Sequence, residues 1–164
     1  MGKWLGKNCG YVHIDAERKG GVDFNTVGVH PEWDRFLRSG TAEEFIRAVD
    51  RLGKPLVLNW GFPKEYFFIV LPLKHEGVDA WWFTGERGAA RGAFGEREEK
   101  RPEAERIPVG LFDQQMDQIE RQGPIIELLF RGRIIKGLDS HGRQRKPEEL
   151  WEEMTSRSER LKKS

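Results

Sequence analysis

Residues 55–61, with the sequence PLVLNWG, form a short apolar run that stops at a glycine. A mostly apolar run of this length is typical of a strand buried on both faces, and Gly61 suits the sharp turn that follows. Segments in which apolar residues recur at helical spacing lie on both sides of the run. A buried strand between helices indicates an α/β fold, in which helical crossovers join parallel strands.

Strand and helix patterns alternate along the rest of the sequence. Strand patterns cover residues 11–14, 78–83 and 133–138, and helical patterns cover residues 31–38, 42–51, 63–76, 87–99, 110–121, 125–130 and 147–161. We expect Pro72 to kink or end the helix that contains it, because proline cannot donate a helical hydrogen bond. Thr41 and Glu44 have the spacing of a capping box at the start of the second helix. The alternation predicts a mostly parallel sheet.

The composition is that of one globular domain of 164 residues with a nearly balanced charge. Lysine and arginine number 28 and aspartate and glutamate 27, which argues against a protein that coats nucleic acid or is attracted to membranes. The single cysteine, Cys9, excludes a disulfide framework and a cysteine-based zinc site. Because the sequence also contains no apolar stretch long enough for a membrane span, we expect a cytoplasmic protein.

The first candidate site follows the first strand pattern, in residues 13–18 with the sequence HIDAER. Ligands of open α/β sheets bind beyond the carboxyl ends of the strands, where Asp15 and Glu17 would lie. Two carboxylates at this spacing could hold a magnesium–water cluster or take a proton from an attacking hydroxyl. Taken alone, these residues are explained more simply by an acidic loop that caps the next element.

Two further segments each have an ordinary and a functional interpretation. Residues 58–63, LNWGFP, are either a plain strand-to-helix turn or a second ligand-binding strand end. Residues 85–106, GERGAARGAFGEREEKRPEAER, interleave acids and bases, as in a solvated helix with ion pairs between residues four apart. The functional interpretation is a flap whose arginines close over phosphates, since the guanidinium fork suits phosphoryl oxygens.

Taken together and in this order, these segments resemble the P-loop small-molecule and nucleotide kinases, the group that contains the shikimate, gluconate and adenylate kinases. Residues 11–17, YVHIDAE, are similar to the second strand of that family and its Asp-x-Asp motif. Residues 58–63 are similar to its third strand and Gly-Phe-Pro turn. Residues 97–102, REEKRP, match an Arg-x-x-x-Arg-Pro pattern of the lid. Residues 133–142 and the helix after Pro147 are similar to the closing strand, adenine-side loop and final helix.

The resemblance implies a three-layer α/β fold, with a parallel P-loop kinase-like sheet flanked by helices. It implies ATP-dependent phosphoryl transfer to a small-molecule hydroxyl or a nucleotide, with ATP and Mg²⁺ as cofactors. Within one kinase-like domain spanning residues 1–164, residues 24–53 would form the acceptor-binding flap and residues 85–106 the lid. The implied roles are catalysis by Asp15, Arg97 and Arg101, metal binding by Asp15, substrate binding by Glu17, Arg18, His30, Arg35 and Gly61, and nucleotide binding by Asp139 and Gly142.

The sequence departs from this family at the phosphate-binding loop, G-x-x-x-x-G-K-[ST], which the 164 residues do not contain. We expect residues 2–8 to be the last turns of the helix that normally follows the loop, ending at Cys9 and Gly10. The family's central first strand, between the counterparts of residues 55–60 and 78–83, would then be missing. Either the start has been placed too far downstream, or this relative has closed the gap and lost its ATP chemistry. Phosphoryl transfer is accordingly expected to be impaired in this chain, and ATP and Mg²⁺ are expected to bind only if the loop is restored.

The alternative class is a non-catalytic, kinase-shaped module that binds a metabolite or a partner. The six tryptophans of the sequence would suit the binding surface of such a module. For either class we expect a small-molecule partner and neither nucleic acid nor membrane as a partner. An exposed sheet edge left by the missing strand would also permit a homodimer.

Overall fold

A computed structural model describes residues 1–16, 22–60, 64–139 and 141–163. The chain forms two compact units, Met1–Asp79 and Ala80–Ser164. The predicted α/β class is confirmed in its coarse form, because helices and parallel strands occur in both units. The expected single parallel sheet of a three-layer fold is not confirmed, since the described strands form two separate two-stranded sheets. Among the described helices, none combines the length and the apolar character needed to cross a bilayer.

In the part of the first unit that the structure describes, one parallel pair of strands lies among five α-helices. Its elements are α1 (Gly2–Cys9), β1 (Val12–Asp15), α2 (Val22–Val27), α3 (His30–Ser39), α4 (Glu43–Asp50), β2 (Leu56–Asn59), a 3-10 helix (Lys64–Ile69) and α5 (Val70–His75). Strand β1 pairs with β2 in register, from Val12 opposite Leu56 to Asp15 opposite Asn59. The prediction that β2 is buried on both faces is wrong, because β2 is only half-buried and ends at the exposed Asn59. A sheet of two strands is too narrow to enclose either strand completely.

Helix α1 ends where the sequence predicts. Gly10 adopts φ +74°, and its N–H donates to the Leu5 carbonyl, which stops the helix after Cys9. Leu5 is buried, as expected for the face of this helix that turns inward. This local signal is strong because glycine is the residue that tolerates a left-handed backbone at a helix end.

The core of the first unit is an aromatic cluster centred on Trp33 of α3. The Trp33 ring stacks on Phe24 at 4.7 Å between centroids and meets Phe45 and Trp60 edge-on at 5.1 and 5.2 Å. Phe36, one turn further along α3, lies 5.7 Å from the same ring. Trp33 is only 4% exposed to solvent. The cluster therefore fixes α2, α3 and α4 together as one layer.

Two helix boundaries in this unit differ from the sequence prediction. The capping box is wrong, because α4 begins at Glu43 with Ala42 as its N-cap and the Thr41 N–H donates to the Ser39 hydroxyl. Ala42 is buried, so packing decides this boundary rather than the side-chain cap. Pro72 does not end a helix: it is the third residue of α5, within the first turn, where the backbone N–H groups have no acceptor inside the helix.

Within residues 80–139 and 141–163, the second unit places its parallel strands among four α-helices. Its elements are β3 (Trp82–Thr84), α6 (Arg87–Glu99), a 3-10 helix (Glu103–Glu105), α7 (Val109–Arg121), α8 (Gly123–Leu129), β4 (Ile134–Lys136) and α9 (Pro147–Lys163). Strand β3 pairs with β4 from Trp82 opposite Ile134 to Thr84 opposite Lys136. Strand β3 begins four residues later than predicted, because Val78 packs against the aromatic core of the first unit and its N–H donates to the Leu73 carbonyl.

Helix α9 is held to β4 by two arginines. Arg157 donates to the Ile134 carbonyl at 2.8 Å, and Arg145 donates to the Lys136 carbonyl at 3.1 Å. Both guanidinium groups also bind the Glu153 carboxylate of α9, at 2.5 and 2.7 Å. The two guanidinium groups thus supply hydrogen-bond donors to carbonyl groups of β4 that the described two-stranded sheet leaves without a strand partner.

Candidate functional site

Asp15 lies at the carboxyl edge of the first sheet, where the sequence predicts it. Asp15 is the register partner of Asn59 in β2, and its backbone N–H donates a hydrogen bond to the Asp23 carboxylate of α2 at 3.0 Å. Helix α2 thus fixes the backbone of the residue proposed as base and magnesium ligand. The sequence did not single out Asp23, which only the packing of α2 brings here. The predicted substrate-binding residues Glu17, Arg18 and Gly61 lie outside the described residues.

A magnesium role for Asp15 remains a prediction. In the described ranges no three or more histidine, cysteine, aspartate or glutamate side chains come together as a metal-binding group. Mg²⁺ bound with a nucleotide is held through one or two carboxylates together with phosphate oxygens and water. A carboxylate at a strand end is compatible with that chemistry, so Asp15 fits the role.

The predicted acceptor flap, residues 24–53, contains a shallow pocket between α3 and α4. Its volume is about 270 Å³, and its lining residues are Glu32, Arg35, Glu44, Arg47 and Arg51. Of the two flap residues predicted to bind substrate, Arg35 lines this pocket. His30 does not: its Nε2 lies 3.6 Å from the Asp34 carboxylate, and its ring lies against Phe24.

The charges of this pocket are paired unevenly. The Arg35 guanidinium forms a close ion pair with Glu44. Arg47 lies 3.3 Å from Glu43, which is one turn earlier on α4. Arg51 reaches only within 3.9 Å of Glu32, beyond hydrogen-bond distance. The pocket therefore has one tightly paired arginine, Arg35, and two that are paired more loosely, Arg47 and Arg51.

Glu32 is the least satisfied group of the pocket. Its Oε2 atom is buried, and no group within the described residues donates a hydrogen bond to it. Arg35 is the lining residue to which the resemblance assigns substrate binding. The four-residue spacing of Glu43, Arg47 and Arg51 would have placed these side chains on one face of α4, although not beside α3.

The predicted lid forms helix α6 with the predicted bounds, Arg87–Glu99. Its N-cap is Glu86, whose carboxylate accepts from the N–H groups of Gly88 at 2.8 Å and Ala89 at 2.7 Å. These two N–H groups, Gly88 foremost, hold the pKa of Glu86 below its usual value. A carboxylate at the positive end of the helix stabilises this start, which explains the sharp boundary.

Arg87 and Arg91 of α6 form their ion pairs with acidic residues of α7 rather than with acids on their own helix. Arg87 lies 2.7 Å from Asp117 and 3.1 Å from Glu120, and Arg91 donates to Asp113 at 3.2 Å. The hydrogen bond to Asp117 chiefly raises the pKa of Arg87. The simple interpretation of pairs four residues apart is thus wrong for these arginines, because their acids lie on α7.

The two predicted catalytic arginines of the lid converge on one buried carboxylate. Arg97 Nε donates to Glu98 Oε1 at 3.0 Å, and Arg101 Nη1 lies 3.5 Å from Oε2. The Ile107 N–H donates to the same Oε2 at 2.9 Å. Glu98 thereby joins the end of α6 to the segment that leads into α7. A phosphate-binding role for Arg97 and Arg101 stays a prediction and would require them to exchange Glu98 for phosphoryl oxygens.

We expect this junction to weaken in acid. The Ile107 N–H foremost, helped by Arg97 and Arg101, holds the pKa of Glu98 below its usual 4.5. A carboxyl whose pKa is lower in the folded state stabilises that state above 4.5 and loses the effect as the pH falls through the lowered value. Hydrogen-exchange protection of the Ile107 amide should therefore decline between about pH 5 and about pH 2.

Two variants complete this test of the junction. Glu98→Gln should give lower Ile107 protection with no dependence on pH in that range, because its side chain does not ionise. Glu103→Gln, at an exposed position of the neighbouring 3-10 helix, should behave as the unmodified chain. Protection that is constant with pH in the unmodified chain would contradict the charged junction.

The two predicted nucleotide-binding residues share one turn after β4. Asp139 Oδ1 accepts from the N–H groups of His141 at 2.8 Å and Arg143 at 2.9 Å, and the Arg143 N–H chiefly lowers the pKa of Asp139. Gly142 adopts φ +74°, and a Cβ there would lie 2.8 Å from the Ala89 Cβ. The turn thus needs both residues for its own geometry, and their nucleotide role stays a prediction.

No family model, no curated protein and no solved structure matches this chain. The resemblance to P-loop kinases therefore depends on the segments quoted from the sequence.

Proposed function

We propose that this chain is a P-loop kinase-like domain that takes part in ATP-dependent phosphoryl transfer to a small polar acceptor. The observation that carries the proposal is the pairing of the strands. In that family the first strand lies between the counterparts of β2 and β3, so the remaining neighbour of β2 should be β1 and that of β3 should be β4. Both pairs occur, and both are parallel.

The first unit supplies the acceptor side of this reaction. Asp15 ends β1 at the carboxyl edge of the sheet, and the chain between β1 and β2 contains the charged pocket of α3 and α4. Asp15 takes the proton of the acceptor hydroxyl as the acceptor oxygen forms its bond to the γ-phosphorus. The bond from that phosphorus to the β–γ bridging oxygen breaks, and ADP leaves with the electron pair. Mg²⁺, if bound with the nucleotide and held in part by Asp15, would supply positive charge that neutralises the phosphate oxygens.

A second candidate function is a kinase-shaped module that binds a metabolite without transferring phosphate. It is favoured by the ion pairs of Arg97 and Arg101 with Glu98, which occupy the arginines that the transfer reaction would use. It is also favoured by the lack of a phosphate-binding loop in these 164 residues. The two candidates differ in whether nucleotide binds.

Nucleotide binding by the natural gene product separates the two functions. The gene would be tagged at its 3′ end at its own chromosomal locus, so that the purified protein is the one the cell makes. Titration calorimetry with Mg·ATP should give saturable binding at one site, and the same titration with EDTA in excess should be much weaker. A protein that takes up no Mg·ATP at millimolar concentration would contradict phosphoryl transfer and favour the binding module.

A further inference from the structure

We propose that the pocket between α3 and α4 binds a small oxyanion that also carries a hydrogen-bond donor, that is, a phosphorylated or carboxylated metabolite with a neighbouring ammonium or hydroxyl group. The ligand's role as phosphoryl acceptor rests on the proposed function. Its binding rests on five side chains of the first unit alone, namely Glu32, Arg35, Glu44, Arg47 and Arg51.

Arg47 and Arg51 provide the contacts for the oxyanion. They are four residues apart, so they project from the same side of α4 and the residue that follows it. Among the described residues each has one acidic neighbour, with N···O distances of 3.3 and 3.9 Å, and a guanidinium group has several N–H donors. Arg35 is held more tightly, in its close ion pair with Glu44. Three arginines and two glutamates give the lining a net charge of +1, which favours an anion.

Glu32 provides the acceptor for the donor group of the ligand. Its side chain is 23% exposed, its Oε2 has no hydrogen-bond partner in the described chain, and its Oε1 has only Arg51 at 3.9 Å. Buried carboxylate oxygens are rarely left without a donor. Because the last torsion of a glutamate is broad and roughly two-fold, the carboxylate can rotate to present an oxygen to a ligand in the pocket. An ammonium or hydroxyl group of a ligand would then satisfy it.

The test compares three probes that contain one or both of the required groups: inorganic phosphate, ethanolamine and phosphoethanolamine. Binding is followed by titration of the backbone amide signals of α3 and α4 in two-dimensional NMR spectra, without nucleotide. Phosphoethanolamine should bind at least about tenfold more tightly than phosphate, and ethanolamine should not saturate. Glycerol 3-phosphate, with hydroxyl groups in place of the ammonium, should lie between phosphate and phosphoethanolamine.

Three variants assign the contacts. Arg51→Gln should weaken both phosphate and phosphoethanolamine about tenfold, because it removes a charged donor. Glu32→Gln should remove only the advantage of phosphoethanolamine over phosphate. Arg38→Gln is the matched control: it makes the same charge change at an exposed position of α3 outside the pocket, and should leave all affinities unchanged.

Three outcomes would overturn the site. The first is that neither phosphate nor phosphoethanolamine saturates. The second is that Arg51→Gln and Arg38→Gln have equal effects, as expected for diffuse attraction of anions. The third is that phosphoethanolamine keeps its advantage in Glu32→Gln. Because the titrations contain no nucleotide, each of these results leaves the measurement of Mg·ATP binding unaffected.

Discussion

Replacing Trp33 by alanine is expected to destabilise the first unit by about 3–5 kcal/mol. The Trp33 ring is almost fully buried and contacts the rings of Phe24, Phe36, Phe45 and Trp60. Alanine would leave a cavity in the middle of the layer formed by α2, α3 and α4, and these rings could fill it only in part. Equilibrium urea denaturation followed by circular dichroism measures the loss.

Two comparison variants show whether the loss of stability comes from removing a buried aromatic ring. Trp33→Phe keeps an aromatic ring in the cluster and should cost markedly less than alanine. Leu71→Ala, on α5 of the same unit, removes a side chain that is 58% exposed and should cost less than about 1 kcal/mol. If Trp33→Ala were no more harmful than Leu71→Ala, the aromatic cluster would not be the core of this unit.

Replacing Gly142 by alanine is expected to destabilise the second unit by about 2–4 kcal/mol, the sum of two effects. Its φ of +74° is costly for any residue with a Cβ, and that Cβ would lie 2.8 Å from the Ala89 Cβ of α6. Real Cβ atoms are not found this close together, so α6 or the turn after β4 would have to move. Denaturation of the variant, followed as for Trp33, measures the effect.

A matched glycine separates the two contributions at Gly142. Gly10 has the same φ of +74° but no atom within 4 Å of its ideal Cβ, so Gly10→Ala should show the backbone cost alone, about 1–2 kcal/mol. Adding Ala89→Gly to Gly142→Ala should recover most of the remaining loss. Equal losses for Gly10→Ala and Gly142→Ala, with no recovery in the double variant, would contradict the contact with α6.

Features set by neighbouring residues could be predicted from the sequence. Helix α6 has the predicted bounds, because Glu86 caps its first turn with two short hydrogen bonds. Helix α1 stops at Gly10 because glycine is suited to the left-handed backbone there. Asp15 lies at a strand end as expected, since a short β-rich run followed by acids defines that position locally.

Features set by distant contacts could not be predicted. No local signal in residues 78–81 reveals that Val78 packs on the aromatic core, so β3 was expected to begin too early. The buried Ala42 likewise overrides the capping pattern of Thr41 and Glu44. The pocket was missed for the same reason, because Glu32 meets Arg51 only after α3 and α4 have packed through their aromatic faces.

The central claim is phosphoryl transfer that depends on Asp15, and one assay tests it most directly. The natural gene product is incubated with Mg²⁺, γ-labelled ATP and a metabolite extract, and label in the small-molecule fraction is compared between the unmodified protein and Asp15→Asn. Loss of a general base should lower the rate about 10²- to 10⁴-fold, whereas Asp50→Asn, at an exposed position of α4, should have no effect. No transferred label, or transfer equal in Asp15→Asn and the unmodified protein, would contradict the account.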